Sequence, residues 1–236
     1  MLDLVYQDPY LVAIDKPPGL LVHRTGLDAG ETRFAMQLLR DQLGRHVWPV
    51  HRLDKGTSGL LLFALDADTA RLMGQAFESG NGLHKTYQAV VRGWPADDGF
   101  IDHPLRRMPD DARDAAGHRE LVQSAQTRFR TLARLNLPLP QGAYAHTRLA
   151  LVALQPLTGR RHQLRRHMKH IAHPIVGDAT HGKGPLNRAL AEHIGLQRLW
   201  LHAGSLRLTH PVTGDELLLQ APPGPEWALW TGNADG

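Results

Sequence analysis

The sequence contains no cysteine among its 236 residues, which excludes disulfides and thiolate metal sites. No apolar run approaches the roughly 20 residues that a membrane-spanning helix needs. The N-terminus lacks the basic segment and apolar stretch of a secretory signal. There is no long low-complexity linker and no internal repeat. These absences favour a cytoplasmic protein without membrane association, and the length allows a sizeable core.

Histidine, by contrast, is abundant, with 15 residues. His162, His167, His170 and His173 lie close together along the chain, a spacing that could serve a metal site. No cluster of carboxylates accompanies them, whereas metal-dependent catalysis usually draws on several convergent acids. We therefore expect no bound metal.

Positive charge is concentrated in one stretch, although the formal net charge is only +4. Residues 160–169 carry several basic side chains and no acid; the basic ones are Arg160, Arg161, Arg165, Arg166 and Lys169. An ordinary solvated helix face usually interleaves acids with its bases. The acid-free stretch is more typical of a surface that contacts phosphates, so it predicts a nucleic-acid partner.

Periodicity predicts more strands than helices. Strands are expected over residues 2–6, 11–15, 58–65, 86–92, 126–132, 147–154, 198–208 and 216–219. Helices are expected over residues 31–43, 68–77 and 158–171. Residues 94–124 are rich in Asp, Arg and Pro with little periodicity, and we expect a long, mobile surface insert there. The pattern indicates an α+β fold with a mixed, largely antiparallel sheet.

The most informative segment runs from His51 to Gly59, with the sequence HRLDKGTSG. The apolar run 60–63 follows at once and is typical of a buried strand. An Arg and an Asp two apart in a turn rich in Gly, Thr and Ser suggest an ionised carboxylate beside a cation. Such an Asp54 can act as a nucleophile, a general base or a metal ligand. The alternative is a structural ion pair at the start of a strand.

Five stretches, in the same order, resemble the motifs of the RluA-type pseudouridine synthases. HRLDKGTSG is similar to the family's HRLDxxTSG signature. The other four are DKPPGLLVH from Asp15, KTYQAVVRG from Lys85, TGRRHQLR from Thr158 and HPIVGD from His173. They resemble the family's KPxGxxVH, KxYxAxVxG, TGRxHQLR and HPIxGD segments. On these motifs the sequence is identified as a member of that family from residue 10 to about residue 210.

The resemblance implies one catalytic domain over residues 1–236, with a substrate cleft that splits the central sheet. Family members often carry an N-terminal S4-type RNA-binding domain. Because the KPxG-like segment here begins at Lys16, we expect no such domain. The resemblance also implies isomerisation of uridine to pseudouridine in RNA, in which the N1–C1′ bond is broken and the uracil is rejoined through C5. No redox cofactor and no metal is needed, so we expect no cofactor.

The resemblance further implies roles for residues that match its motifs. Asp54 matches the catalytic nucleophile, which attacks either the ribose C1′ or the uracil C6. Arg165 matches the basic residue that pairs with this Asp; a phosphate contact is its alternative role. Tyr87 matches the tyrosine that stacks on the target base, although a strand Tyr is more often part of the core. Arg52 would fill the space left by the flipped uridine. The remaining RNA-binding candidates are Arg160, Arg161, His162, Arg166 and Lys169.

Two further stretches, within residues 22–47 and 187–199, resemble the branch of the family that modifies uridine 65 of tRNA. The dipeptide Lys55-Gly56 departs from the Arg-Pro of that branch. We expect tRNA as the RNA partner, no obligate protein partner, and binding contributions from Arg106, Arg107 and Arg113 of the insert. Three alternatives stay open: an enzyme for large-subunit ribosomal RNA, a non-catalytic RNA-binding protein of the same fold, and a metal-dependent nuclease.

Overall fold

The computed structural model describes residues 1–23, 30–80, 82–108 and 121–231. In these residues the strands are β1 (Asp3–Gln7), β2 (Leu11–Lys16), β3 (Trp48–Pro49), β4 (Ser58–Ala64), β5 (His84–Arg92), β6 (Asp98–Asp102), β7 (Leu105–Arg106), β8 (Val122–Gln123), β9 (Gln126–Leu137), β10 (Thr147–Pro156), β11 (Leu201–Thr209) and β12 (Glu216–Gln220). The helices are α1 (Ala35–Leu43), α2 (Ala67–Ser79), α3 (Gln163–His170), α4 (Gly184–Ile194) and α5 (Ala228–Thr231).

One large sheet carries the fold, with strand order β1-β2-β4-β11-β5-β10-β9-β6. Its neighbouring strands are antiparallel except for the pair β4–β11, which is parallel. Strand β12 pairs with β11 and β3 pairs with β4 outside this path, and β7 and β8 form a separate hairpin. The predicted α+β class with a mixed, largely antiparallel sheet is confirmed.

The two halves of the sheet are joined only narrowly at β4 and β11. Their parallel register is limited to His202 opposite Ser58 and Ala203 opposite Gly59. Gly59 has a positive φ of 104°, and a Cβ there would collide with the backbone of Ala203, so glycine allows this close approach. The two halves of the sheet therefore diverge on both sides of the short β4–β11 pairing. The segment that leads into β4 lies where they diverge.

Each half has its own hydrophobic core. In the first half, β4 is buried along its whole length and packs with β2, α1 and α2. In the second half, α3 covers one face of β5 and β10 with Leu164 and Met168. The opposite face is covered by α4 and the C-terminal turns, where Trp200 packs edge-on against Trp227 and Trp230. Helix α3, which carries the basic stretch, is thus fixed against a rigid sheet.

Two predicted helices begin later in the structure than the sequence indicated. Helix α1 starts at Ala35 because Phe34 is extended and forms a bridge with Leu21. Helix α3 starts at Gln163 rather than at residue 158, because His162 adopts a left-handed conformation with φ of 54°. Within the described ranges, no helix is both long and apolar enough to cross a membrane.

The prediction of an irregular insert over residues 94–124 is wrong in part. Strand β6 lies inside it and pairs with β9 in the main sheet, and the hairpin β7–β8 follows. The burial of Ile101 and Leu105 attaches these strands to the core. Residues 109–120, with Arg113, lie outside the described part of the chain. Helix α4 was not predicted at all.

Candidate active site

A cleft of about 340 Å³ lies where the two halves of the sheet part. One wall is the segment 50–57, which leads into β4, and the other is the segment 156–165, which connects β10 to α3. The starts of β5 and β11 contribute to its floor through Tyr87 and Leu201. Among the described residues that line the cleft, Asp54 is the single carboxylate. Any chemistry that needs an acid in this cleft therefore falls to Asp54.

Asp54 forms an ion pair with Arg165 across the cleft. The Arg165 guanidinium donates a hydrogen bond from Nη1 to Oδ2 of Asp54 at 2.8 Å. The side chain of Arg165 is only 9% exposed, whereas that of Asp54 is 23% exposed. Arg165 is thus buried behind the carboxylate, which remains reachable from the cleft. The pairing expected from the resemblance is present in the structure.

A second carboxylate, Asp178, fixes the other side of the same guanidinium. Arg165 donates from Nε and Nη2 to the two oxygens of Asp178, each at 2.8 Å. Oδ1 of Asp178 also accepts hydrogen bonds from the backbone N–H groups of Thr180 and His181. Asp178 therefore holds Arg165 through two parallel hydrogen bonds, and Nη1 of the guanidinium is left to bind Asp54.

The pKa values of this pair follow from their mutual contact. Burial alone would raise the pKa of Asp178, but the hydrogen bond from Arg165 and those from the backbone outweigh it and lower that pKa. Burial alone would lower the pKa of Arg165, yet the bonds and charges of Asp178 and Asp54 raise it above its ordinary value. Both groups stay charged at neutral pH, so Arg165 is a fixed cation.

Sequence reasoning missed Asp178 as a site residue. It lies in the HPIVGD stretch, and that motif match was the available signal. Its connection to Arg165 could not be read from spacing, because the acid stands 13 positions further on in a loop beyond the helix. Only the fold directs its side chain, which is fully buried, at the guanidinium.

His162 lies on the other side of Asp54. Its Nε2 is 3.8 Å from Oδ1 of Asp54, and its Nδ1 is 3.0 Å from Nε2 of His181. Burial lowers the pKa of His162 to about 4, against the opposing charge of Asp54. The ring is therefore neutral at physiological pH. The structure places this predicted RNA-binding residue inside the cleft wall, in its left-handed conformation, rather than on an outer basic face.

Tyr87 lines the cleft from β5 and is partly buried. Burial, followed by the charge of Asp54, raises the pKa of its phenol, so the hydroxyl is protonated at neutral pH. Next to it, Lys85 has a lowered pKa because of burial. His51 stacks on Phe77 with the rings 4.9 Å apart. Tyr87, His51 and Phe77 therefore give this part of the cleft an aromatic surface.

Lys16 supports the segment that carries Asp54 from behind. Its side chain is fully buried, and Nζ donates to the backbone carbonyls of Pro17, Leu20 and Lys55 at 2.8, 2.8 and 3.3 Å. The same Lys55 carbonyl also accepts from the N–H of Gly19. Burial lowers the pKa of Lys16 to about 7. The N-terminal KPPG turn thus anchors the residue next to Asp54.

The predicted phosphate-binding residues separate into two groups. Arg52, Arg160 and Arg161 line the cleft with His162, while Lys169 is exposed on the outer face of α3. Arg160 donates from Nε to the carbonyl of Ser124, and Arg166 donates from Nη1 to the carbonyl of Arg106. These two bonds attach the basic stretch to the β7–β8 hairpin. The resulting positive surface runs from the cleft mouth along α3.

In the described part of the chain, no three His, Asp or Glu side chains come together in a way that could hold a metal ion. His167 uses its ring nitrogens on the hydroxyl of Thr127 and the carbonyl of His103. His103 in turn stacks on His170 with ring centroids 3.7 Å apart. His167 and His170, two of the four histidines considered as metal ligands, therefore serve hydrogen bonding and packing within the fold.

Comparison with known proteins gives concordant results. A family model described as RNA pseudouridylate synthase matches residues 10–170. The chain is 50% identical to a tRNA pseudouridine synthase C from Vibrio cholerae, over 94% of this chain and 91% of that protein. It is 49% identical to a protein of the same name from Haemophilus ducreyi, over 97% of this chain and 93% of that one.

Solved structures agree with the fold. The human RNA pseudouridylate synthase domain containing 1 is similar at a TM-score of 0.72 and 27% identity, covering 94% of this chain and 84% of that one. The human RNA pseudouridylate synthase domain containing 4 gives a TM-score of 0.67 at 26% identity, covering 94% and 89%.

Proposed function

The chain belongs to the RNA pseudouridylate synthase family, as its five motifs predicted, and we propose that it isomerises uridine 65 of tRNA to pseudouridine. It is accordingly an RNA-modifying isomerase. The observation that carries the mechanism is the single cleft carboxylate, Asp54, held 2.8 Å from a buried arginine. The tRNA target is supported by the names of the relatives that match nearly the whole chain.

Asp54 acts as the nucleophile in this proposal. One carboxylate oxygen, Oδ2, is occupied by Arg165, and the other, Oδ1, faces the cleft with His162 at 3.8 Å. The carboxylate forms a bond to the ribose C1′ or the uracil C6, the N1–C1′ bond breaks with its electron pair going to the uracil, and the uracil turns. The new bond then joins C5 to C1′, the bond to Asp54 breaks so that the carboxylate is regenerated, the proton on C5 is lost, and N1 takes up a proton. Atoms and electrons balance without an external oxidant or group donor.

The target base must leave its helix to reach Asp54. Bases inside an A-form stem cannot be read from the deep, narrow major groove, and enzymes that act on a base extrude it into a pocket. A cleft of about 340 Å³ lies at the small end of ligand sites and suits one nucleotide. The protonated phenol of Tyr87 and the aromatic surface nearby would receive the uracil, and Arg52 at the cleft mouth would occupy its former place.

Two observations weigh against the alternatives. A metal-dependent nuclease needs several convergent carboxylates, whereas one acid is present in the described cleft lining. A protein that only bound RNA would have no use for a carboxylate among phosphate-binding cations, because it repels the RNA backbone. Ribosomal RNA stays as the alternative substrate, since the chemistry at Asp54 would be the same.

The experiment is pseudouridine mapping on purified RNA. The pure protein is incubated with folded tRNA and, separately, with large-subunit ribosomal RNA, and pseudouridine is located by primer extension after carbodiimide treatment. We expect a stop at tRNA position 65 with the wild type and none with Asp54→Asn. A stop in ribosomal RNA alone would transfer the enzyme to the ribosomal substrate. Tight binding without any stop would favour the non-catalytic binder.

A further inference from the structure

A second pocket, of about 570 Å³, lies beyond the opposite end of α3 from Asp54. Helix α3 has eight residues and is therefore about 12 Å long; His162 precedes its first turn, and His173 follows its last. The pocket is lined by the end of β5, the loop before β10 and the turn after α3. Its walls include Arg92, Gly93, Trp94, Tyr144, Arg148 and His173.

The end of one sequence motif and the start of another meet at this pocket, away from the cleft. His173, the first residue of HPIVGD, lies 2.8 Å from the carbonyl of Arg92 through its Nδ1. Gly93, the last residue of KTYQAVVRG, has a positive φ of 78°, and a Cβ there would lie 3.0 Å from the His173 ring. Glycine thus lets the strand end approach the histidine closely, which fixes one wall of the pocket.

The pocket combines exposed aromatic rings with cations. Tyr144 is 75% exposed and Trp94 is 40% exposed, although large aromatic residues usually bury most of their surface. The guanidinium carbon of Arg148 lies 4.5 Å from the centroid of the Trp94 ring, so the arginine is oriented by a cation–π contact. Arg92 and His146 add further basic groups, and no acid is present in the described lining.

This combination is the one that binds an unpaired nucleotide. Every base has a π-face that stacks on Tyr or Trp regardless of its identity, while arginine pairs with the phosphate. Lys169, in the last turn of α3 and therefore at the end of the helix nearest this pocket, is exposed, so it offers positive charge to an RNA backbone there. We propose that the pocket holds an unpaired nucleotide of the RNA whose uridine occupies the cleft. The inference rests on the proposed function, since it assumes an RNA substrate.

The test uses Tyr144→Ala and Arg148→Gln, with Phe100→Ala and Arg207→Gln as matched controls. Phe100 and Arg207 are also exposed but lie on β6 and β11, outside both pockets. Loss of one base–aromatic stack should raise KM for folded tRNA about tenfold for Tyr144→Ala. The kcat should change by less than twofold, and both controls should keep the wild-type KM. An unchanged KM for both pocket variants would overturn the proposal.

A second substrate distinguishes binding of an unpaired nucleotide in the pocket from contact of the pocket with paired RNA. On a blunt-ended stem that carries the target uridine but no unpaired nucleotide, the pocket variants and wild type should give the same KM. A tenfold difference on that stem as well would overturn the proposal, because the pocket would then contact paired RNA. If wild type modifies ribosomal RNA and leaves tRNA unmodified, the proposed target fails. The same comparison of variants on the ribosomal fragment, with and without its unpaired nucleotides, then tests the proposed role of the pocket independently of the tRNA target.

Discussion

Arg165 donates a hydrogen bond of 2.8 Å to Asp54 although the two residues stand 111 positions apart in the chain. The contact spans the cleft between the two halves of the sheet, so it joins the loop before β4 to helix α3. The far side of the guanidinium is fixed by Asp178. The orientation of the proposed nucleophile therefore depends on a buried carboxylate that never faces the cleft.

Replacement of Asp178 by Asn should reduce kcat at least tenfold while RNA affinity changes little. The amide keeps the shape of the side chain but removes its charge and one acceptor, so Arg165 loses one of its two parallel hydrogen bonds and can turn away from Asp54. Breaking a buried ion pair also costs about 3–5 kcal/mol of stability. Single-turnover kinetics, filter binding and denaturant unfolding measure the three effects.

Asp98→Asn is the matched control for that experiment, because Asp98 is an exposed acid on β6. It should leave all three quantities unchanged. If Asp178→Asn lost only stability and turned over normally at a temperature where it is folded, Asp178 would have no part in positioning Arg165.

The RNA affinity that the basic stretch of residues 160–169 provides should depend on salt concentration. Each phosphate contact that is lost lowers the slope of log affinity against log salt by about one unit. Lys169→Gln and Arg160→Gln should therefore each lower the slope, because one side chain is exposed and the other lines the cleft mouth. Arg207→Gln, on the exposed side of β11, should not. Equal slopes for Lys169→Gln and wild type would mean that this face of α3 is only solvated.

The free energy of unfolding should decrease at low pH, in part because of His51. Its Nε2 accepts a hydrogen bond from the N–H of Leu62, and burial, followed by the charge of Lys85, lowers its pKa to about 3. In the unfolded chain the pKa is about 6.5. Between these values only the unfolded state binds the proton, so the free energy of unfolding falls as pH drops from about 6.5 toward 3, by up to about 1.4 kcal/mol per pH unit.

His51→Gln retains an acceptor for Leu62 and removes the titrating ring. Urea unfolding at several pH values should show a flatter acid slope for this variant. Identical slopes for the variant and wild type would show that His51 already titrates normally in the folded protein.

Much of the sheet was predictable, because its central strands carry strong signals. The unbroken apolar run at 60–63 and the alternating segment 86–92 correspond to β4 and β5. Strand β6 was missed because its sequence, DGFID, is composed largely of residues that are rare in strands; pairing with β9 overrides that preference. Two features of the sequence favour helix α4, namely Pro185 in its first turn and Gly195 directly after its last residue.

The site was predictable only through its motifs. Asp54, Tyr87 and Arg165 were identified by resemblance, and the structure brings all three to one cleft. The support beneath them was not predicted: Lys16 holds the Lys55 carbonyl and Asp178 holds Arg165 through contacts between segments far apart in the chain. Such contacts leave no periodic trace in a single sequence, and neither does the left-handed turn at His162, which delays the start of the predicted helix.

The proposed role of Asp54 is tested most directly by Asp54→Asn. Tritium release from RNA labelled at uridine C5 follows isomerisation, and filter binding measures affinity for the same RNA. Because the surrounding cations supply binding and the carboxylate supplies chemistry, we predict complete loss of tritium release with RNA affinity within a few-fold of wild type. Appreciable tritium release by the Asn variant would contradict the assignment of Asp54 as the nucleophile.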